Sequence, residues 1–271
     1  MPHSAWVNCY TRKQGRMNHL NLSFSASGFL GIYHLGAASA LLKHGQKMLK
    51  YVKCFAGASA GSLVATVLLT APDKIKESKE FLYAFSEDVR KQKLGAMTPA
   101  YDFMKNLRGG IESILPVNAH EMAEHRLYVS ITNAKSRKNC LVSHFASREE
   151  LIKVLLASSY VPLYAGIKAV DYKGEKWFDG GFTDSLPHLP NGRTITVSPF
   201  SGRLDICPQD KPLWDLYVTF AKHSILLSEA NLRRLNQALF PPRQEKMEAI
   251  FQDGYKDAVN FLQLEKWYEH C

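Results

Sequence analysis

Gly57-Ala58-Ser59-Ala60-Gly61 is the stretch that decides the fold, because it joins a predicted strand at residues 51–56 to a predicted helix at residues 62–69. A G-x-S-x-G pentapeptide in that position is typical of a nucleophile elbow, a sharp strand-to-helix turn that exposes the serine hydroxyl. Gly57 and Gly61 relieve the crowding of the backbone in such a turn, and Ala58 and Ala60 add only a methyl group. Ser59 is therefore a candidate nucleophile. The alternative is a glycine-rich turn in which a serine caps the helix.

The segments around this pentapeptide predict an α/β fold built on a parallel sheet. Residues 20–25 alternate apolar and polar side chains and then reach a turn at residues 26–28, which predicts a strand and a tight turn. Residues 31–44 carry an apolar stripe at helical spacing, and Gly45 follows at a C-cap position. The resulting order of strand, turn, helix, strand, turn and helix favours parallel strands joined by right-handed crossovers.

The rest of the chain predicts further elements of one domain that covers residues 17–271. Ser147, with Glu150 three residues later, predicts a capped helix, and Lys173-Gly174 between two short strand patterns predicts a hairpin. Residues 95–116 predict irregular structure with short helical pieces. The other expected elements are helices at residues 72–92, 213–239 and 246–267 and strands at residues 127–134, 140–145, 167–172, 175–178 and 194–198.

The composition describes a globular chain of 271 residues, of which 46% are hydrophobic and 22% charged. No apolar run reaches the roughly 18 residues needed to cross a bilayer. The net charge of +9 is concentrated near the start, since residues 1–72 contain no Asp or Glu and carry seven Lys and Arg. A basic surface of this kind favours anionic lipid headgroups, and no nucleic-acid motif accompanies it. The alternative is a solvated helix face, because Lys43, Lys47 and Lys50 recur at helical spacing.

The five cysteines predict neither a disulfide framework nor a zinc site, because they are scattered and include no C-x-x-C pair. No secretory signal is recognisable, so an intracellular, reducing compartment is expected. Residues 1–16 are basic, acid-free and poor in apolar residues, which is typical of a disordered extension or of a transit sequence. The expected location is therefore the cytoplasm, with the mitochondrion as the alternative.

Acyl transfer by a serine also needs hydrogen-bond donors for the oxyanion. The turn at Ala26, Ser27 and Gly28 leads into a helix at Gly31 and offers a run of backbone amides that suits an anionic oxygen. A nucleotide-phosphate site is the alternative for this loop, because Gly28-x-x-Gly31 resembles half of a dinucleotide fingerprint.

The serine would also need a base, and two kinds of candidate are present. Asp179 ends a predicted strand and is followed by Gly180 and Gly181, which allow the backbone to fold sharply beside a carboxylate. A carboxylate that touches a serine hydroxyl can act as the general base directly. A hydrolase of the common triad type would instead use a histidine downstream of the serine. The candidates for that role are His188, His223 and His270.

Residues 23–31, 57–61 and 179–181 together resemble the patatin-like phospholipases in order and spacing. The form of the first segment is similar to that of the animal lipases related to adipose triglyceride lipase. The resemblance covers residues 17–271 and implies a three-layer α/β/α fold with a mainly parallel central sheet. It implies a Ser59–Asp179 dyad without histidine and an oxyanion hole formed by the amides of residues 26–28. It also implies that neither a metal nor an organic cofactor takes part.

The same resemblance implies esters with long acyl chains as substrates, namely triacylglycerol, phospholipid and retinyl ester, with transacylation as a second activity. Peripheral association with a membrane or lipid-droplet surface would follow from such substrates. Ala26 and Ser27 depart from the family pattern, which usually has glycines there. This departure, the basic first third and the amphipathic C-terminal segments support an alternative, a lipid- or partner-binding module with vestigial catalysis.

Overall fold

A seven-stranded mixed sheet forms the centre of residues 19–210 and 216–270, the residues that the computed structural model describes. The expected extension or transit sequence at residues 1–16 lies outside them. The strand order is β5-β6-β3-β2-β1-β7, and β4 pairs with β3. The parallel strands are β1 (Leu20–Phe24), β2 (Val52–Ala58), β3 (Leu127–Asn133) and β7 (Arg193–Val197). The antiparallel strands are β4 (Asn139–Val142), β5 (Val170–Tyr172) and β6 (Glu175–Asp179).

Helices flank the sheet, so the α/β architecture with a mainly parallel central sheet is confirmed. In chain order they are α1 (Gly31–His44), α2 (Gln46–Leu49), α3 (Ala60–Thr70), α4 (Ile75–Lys91), α5 (Phe103–Ile114), α6 (Ala119–Ala123), α7 (Arg148–Ser159), α8 (Glu229–Leu239) and α9 (Gln244–Leu264). Helix α3 packs against the three strands β1, β2 and β3, and α7 packs against β3, β5 and β6. None of the helices described is both long and apolar enough to pass through a membrane.

Helices α1 and α9 cross closely, and a glycine on each helix makes this possible. A Cβ atom on Gly36 would lie 2.0 Å from the carbonyl oxygen of Phe251, and one on Gly254 would lie 2.1 Å from the carbonyl oxygen of Tyr33. The two backbones therefore approach without intervening side chains. This packing holds the C-terminal helix α9 against α1, the first helix of the chain.

Two sequence predictions are wrong in part. Residues 213–239 are not one helical pattern, because β8 (Tyr217–Phe220) and β9 (His223–Leu226) form a separate hairpin before α8 begins. Residues 95–116 contain a regular helix, α5, where irregular structure was expected. The predicted capping of α7 is confirmed, since the Ser147 side chain accepts a hydrogen bond from the amide of Glu150.

Strands β2 and β6 meet end to end along one edge of β3. Val129 of β3 pairs with both β2 and β4, so these two strands lie on opposite edges. Ile131 pairs with both β4 and β6, so β6 lies on the same edge as β2. Ala58, the last residue of β2, pairs with Ser130, and Asp179, the last residue of β6, pairs with Ile131. Because β2 and β6 run in opposite directions, their last residues face each other. Ser59, which follows Ala58, is therefore brought close to Asp179.

Candidate active site

Ser59 occupies a strained turn between β2 and α3. Its backbone has φ 53° and ψ −131°, a conformation that costs a non-glycine residue on the order of 1–3 kcal/mol. The Ser59 amide donates to the Ser158 hydroxyl at 2.9 Å, and that hydroxyl donates to the Ser130 carbonyl at 2.7 Å. The Ser62 hydroxyl donates to the Ser59 carbonyl at 2.7 Å. These bonds hold the strained backbone from both sides, as an elbow requires.

The glycines that flank the elbow sit where no side chain fits. A Cβ atom on Gly61 would lie 2.3 Å from the carbonyl oxygen of Phe24, at the end of β1. A Cβ atom on Gly57 would lie 2.6 Å from the carbonyl carbon of Gly61. The first turn of α3 therefore rests directly on the end of β1, with Ala58 fully buried at the end of β2.

The backbone of Asp179 is fixed by two neighbouring elements. Its amide donates to the carbonyl of Tyr160 at 2.9 Å, and its carbonyl accepts from the Thr132 hydroxyl at 2.8 Å. The Gly181 amide donates to the carboxylate at 2.6 Å. A Cβ atom on Gly180 would lie 2.1 Å from the Ser130 carbonyl oxygen, so only glycine allows the chain to turn against β3 there.

Ser59 and Asp179 lie in contact and are buried, with 7% and 4% of their surfaces exposed. The Ser59 side chain lies within hydrogen-bonding reach of the Asp179 carboxylate. Burial raises the pKa of Asp179 from 3.8 to about 6, while the hydrogen bonds from Ser59 and from the Gly181 amide lower it. The carboxylate is therefore ionised at neutral pH and is more basic than an exposed aspartate, which suits a group that must accept the proton of a hydroxyl.

The turn at Ala26, Ser27 and Gly28 lies in the wall of the same cavity as this pair. Within the described part of the chain, the amides of Ser27 and Gly28 have no hydrogen-bond acceptor. The Ala26 amide, by contrast, donates to the Ser185 carbonyl at 2.8 Å, so it is not available for an oxyanion in this structure. Gly28 has φ +52°, and a Cβ atom there would lie 2.2 Å from the Ala238 carbonyl oxygen of α8. Two of the three predicted donors are thus without a partner in the described part of the chain.

A cavity of about 480 Å³ extends from Ser59 and Asp179. Its wall is mostly apolar and comes from α3, α4, α5, α8 and the β8–β9 hairpin. Such a volume and lining suit a long hydrocarbon chain. Aromatic and aliphatic members of the wall include Phe29, Leu63, Phe81, Phe85, Phe103 and Leu107.

The three histidines considered as alternative bases are placed differently. His223 is buried in the cavity wall, where burial and, to a smaller extent, the charge of His188 lower its pKa to about 4. His188 is exposed and bonds to the carbonyl of Leu186. His270 is exposed and packs against the ring of Tyr268. No hydrogen bond joins these imidazoles to Ser59 or Asp179 in the described ranges.

One cluster has the composition of a metal site. The ligand atoms of Glu124, His125 and His144 lie within 4.8 Å of one another. The cluster is partly or fully exposed and lies beside the start of β3, at the other end of this strand from Ile131. It is therefore separate from Ser59 and Asp179.

Sequence reasoning missed the residues that position this pair, above all Ser158, Tyr160 and Thr132. Ser158 lies in the last turn of α7, and Thr132 lies inside β3, where polar residues carry no special signature. Their roles follow from the pairing of β6 with β3 and from the packing of α7 on both strands. No local pattern in the sequence could have identified them.

When the chain is compared with known proteins, it matches one protein family. The family described as patatin-like phospholipase matches residues 22–190, a segment that contains the turn at residues 26–28, the elbow and Asp179. The chain is 67% identical over 253 residues to human patatin-like phospholipase domain-containing protein 4, covering 93% of this chain and 100% of that protein.

Longer relatives match over a similar part of this chain. The mouse patatin-like phospholipase domain-containing protein 2 is 39% identical over 244 residues, which cover 89% of this chain and 50% of that protein. A mouse 1-acylglycerol-3-phosphate O-acyltransferase is 35% identical over 244 residues, which cover 90% of this chain and 59% of that protein. The chain therefore spans only about half the length of these two relatives.

Proposed function

This chain belongs to the patatin-like phospholipase family, and from that premise we propose that it is a serine lipid acyl hydrolase with Ser59 as nucleophile and Asp179 as base. Residues 17–271 would form its single catalytic domain. The observation that carries the proposal is that the buried Ser59 and Asp179 side chains lie within hydrogen-bonding reach of each other in the wall of an apolar cavity. Family membership itself supports hydrolysis or transfer of lipid acyl groups.

The proposed reaction proceeds through an acyl-enzyme. Asp179 accepts the Ser59 proton as the serine oxygen attacks the ester carbonyl, and the amides of Ser27 and Gly28 stabilise the oxyanion. Each such donor contributes on the order of 3 kcal/mol to lowering the barrier. Collapse of the tetrahedral intermediate breaks the ester bond, and the departing alcohol takes the proton from Asp179. Water then attacks the acyl-enzyme and gives a proton to Asp179. Collapse of this second intermediate breaks the bond to Ser59, whose oxygen takes the proton back from Asp179 as the fatty acid is released.

The cavity wall favours neutral esters with long chains, such as triacylglycerol or retinyl ester. Among its described members it contains no Lys or Arg, so nothing in it would neutralise the phosphate of a phospholipid. An alcohol that takes the place of water would convert hydrolysis into transacylation by the same steps. The acyltransferase name of the mouse relative is consistent with such a second activity.

We expect a fluorophosphonate probe to label the protein at Ser59, at a rate that falls about tenfold per pH unit below pH 6. The reason is the raised pKa of Asp179, about 6, because only the ionised carboxylate can accept the hydroxyl proton. The labelling rate is measured by mass spectrometry of the modified peptide across a pH series. Labelling of a different residue, or a rate that stays constant from neutral pH to well below the pKa of Asp179, would contradict the assignment.

A lipid-binding module with vestigial catalysis is the second candidate function. It is favoured by one observation, the engagement of the Ala26 amide with the Ser185 carbonyl, which removes a predicted oxyanion donor. Folded protein that resists the fluorophosphonate but still binds lipid vesicles would support this second function.

Replacing His223 by Gln or His188 by Ala is expected to lower kcat/KM for a monomeric short-chain ester by less than about tenfold, that is, by less than about 1.4 kcal/mol of barrier. Neither imidazole is bonded to Ser59 or Asp179, and His223 is neutral at pH 7 because burial lowers its pKa to about 4. The two variants are compared with wild type in steady-state assays at pH 7.5. A loss of about a thousandfold or more in either variant would instead indicate a histidine-dependent triad.

A further inference from the structure

The exposed apolar side chains of this protein are concentrated around the mouth of the cavity. Of the 16 large hydrophobic residues exposed in the described chain, eight lie in residues 216–240, on the β8–β9 hairpin, on α8 and beside them. We call this surface the apolar rim. Its main members are Leu216, Val218, Phe220, Leu232, Leu235 and Phe240.

Helix α8 presents its leucines outward and a polar residue inward. Leu232, Leu235 and Leu239 follow one another at helical spacing on the exposed side, whereas Asn231 and Ala238 are buried. The Asn231 amide group donates to the carbonyls of Ser201 at 3.0 Å and Leu226 at 2.7 Å, which fixes the helix in this orientation. A surface helix of a water-soluble domain normally has the opposite arrangement. The outward stripe of α8 is therefore suited to an apolar environment.

The hairpin continues the same surface. Val218 and Phe220 are two residues apart on β8 and thus share one face, and both are exposed. They also line the cavity, as do Leu232 and Leu235 of α8. Side chains that are exposed and also line a cavity mark its opening. The cavity that begins at Ser59 therefore opens through the apolar rim.

We propose that the apolar rim docks this protein on a phospholipid-covered lipid surface with the cavity mouth facing the lipid. The inference rests on the proposed function, because a long-chain ester must pass from the lipid phase into the cavity without crossing water. A contiguous exposed apolar patch of this kind marks an interaction site. The continuity of the patch with the substrate entrance identifies the lipid surface as the partner.

The basic surface near the start of the chain is a different face of the molecule. Lys43 lies at the end of α1, Lys50 directly after α2, and Lys53 at the start of β2. These positions are at the amino ends of the parallel strands, whereas Ser59 and the rim are at the carboxyl ends. The basic surface therefore cannot contact the lipid while the mouth faces it.

The charges beside the rim are largely compensated. Arg233 of α8 pairs with Glu229 at 2.5 Å, and Lys222 of the hairpin turn pairs with Asp184 at 2.7 Å. Docking through the rim should therefore depend on apolar contact and not on anionic lipid. A zwitterionic phosphatidylcholine surface is the appropriate probe.

The test uses the full chain and a variant, Leu216→Asp with Phe240→Asp, at two exposed rim positions that do not line the cavity. Wild type is expected to co-float with phosphatidylcholine vesicles, and the variant is expected to lose at least tenfold in vesicle partitioning. Hydrolysis of a long-chain ester carried in the vesicles should fall in parallel. Hydrolysis of a monomeric short-chain ester should stay at the wild-type rate, which also shows that the variant is folded. A matched charge change on the other face, Lys50→Glu with Lys53→Glu, should leave partitioning unchanged within twofold.

Three outcomes would overturn the docking proposal. Wild type that does not co-float, or a rim variant that partitions like wild type, shows that the rim does not hold the protein on lipid. A loss confined to the lysine variant assigns docking to the basic surface. A rim variant that changes a dimer into a monomer and still co-floats assigns the rim to an interface between two copies. Absence of turnover on the monomeric ester in all proteins refutes the proposed function alone, since vesicle partitioning is measured independently.

Discussion

Ser59→Ala is expected to lower kcat/KM for ester hydrolysis on the order of ten-thousandfold, and Asp179→Asn should cause a loss of similar size. The first change removes the proposed nucleophile, and the second removes the proposed base that would accept its proton. Because nucleophile and base act in one step, the double variant should be no worse than either single variant. Steady-state rates of all three variants with a long-chain ester and with a monomeric short-chain ester provide the measurement. Activity that survives both single changes would remove the catalytic assignment.

The stability of Asp179→Asn separates loss of the base from loss of the fold. The folded protein raises the pKa of Asp179 to about 6, so the native state disfavours the ionised form. The stabilisation of the protonated carboxyl is complete below pH 3.8 and is lost as the pH rises through about 6. At pH 8 the carboxylate is ionised in both states, and its charge is less favourable in the folded protein. The free energy of unfolding is therefore lower than that of the same protein with a protonated Asp179 by up to about 3 kcal/mol. The neutral amide should unfold at a temperature equal to or above that of wild type, although the variant is inactive.

Gly61→Ala is expected to destabilise the protein by about 3 kcal/mol or more and to abolish ester hydrolysis. The new Cβ atom would lie 2.3 Å from the carbonyl oxygen of Phe24 and 2.4 Å from that of Ser25. Both contacts are to backbone, so no side chain can move aside, and the elbow must shift away from β1. Thermal unfolding should show a fall in Tm of roughly 6–12 °C for a chain of this size.

Gly109→Ala provides the matched control for that change. Gly109 also lies in a helix, α5, but a Cβ atom there would meet nothing within 4 Å. Alanine is a better helix former than glycine, so this variant should be more stable by about 0.5–1 kcal/mol and fully active. Equal melting temperatures for the two variants would show that the elbow is not packed as described.

The first half of the sheet was predictable because its signals are local. The strand that becomes β1, the helix α1 with Gly45 at its end, and the G-x-S-x-G turn each depend on neighbouring residues. The hairpin β8–β9 was not predictable, because its turn residues Ala221 and Lys222 both have positive φ, at 45° and 62°. Glycine or asparagine usually marks such a turn, and neither is present.

Helix α5 was missed for a related reason. Its Gly109-Gly110 pair and the proline that follows indicate irregular structure when only neighbours are considered. In the structure a Cβ atom on Gly110 would lie 2.1 Å from the ring of Phe81 on α4, so tertiary packing explains the glycine.

The candidate site shows the same limit of prediction from local sequence. Ser59 and Asp179 could be named from motifs, but their contact depends on both strands pairing with one edge of β3.

That shared edge has a consequence for how the family can diversify. Adjacent positions of β3 set the separation between hydroxyl and carboxylate, so it does not depend on the chain that connects residues 59 and 179. Much of that connecting chain, including α4 and α5, instead forms the wall of the cavity. Changes in that connecting chain can therefore reshape the cavity while Ser59 and Asp179 keep their spacing. The proposed chemistry and the choice of acyl chain would thus depend on separate parts of one polypeptide.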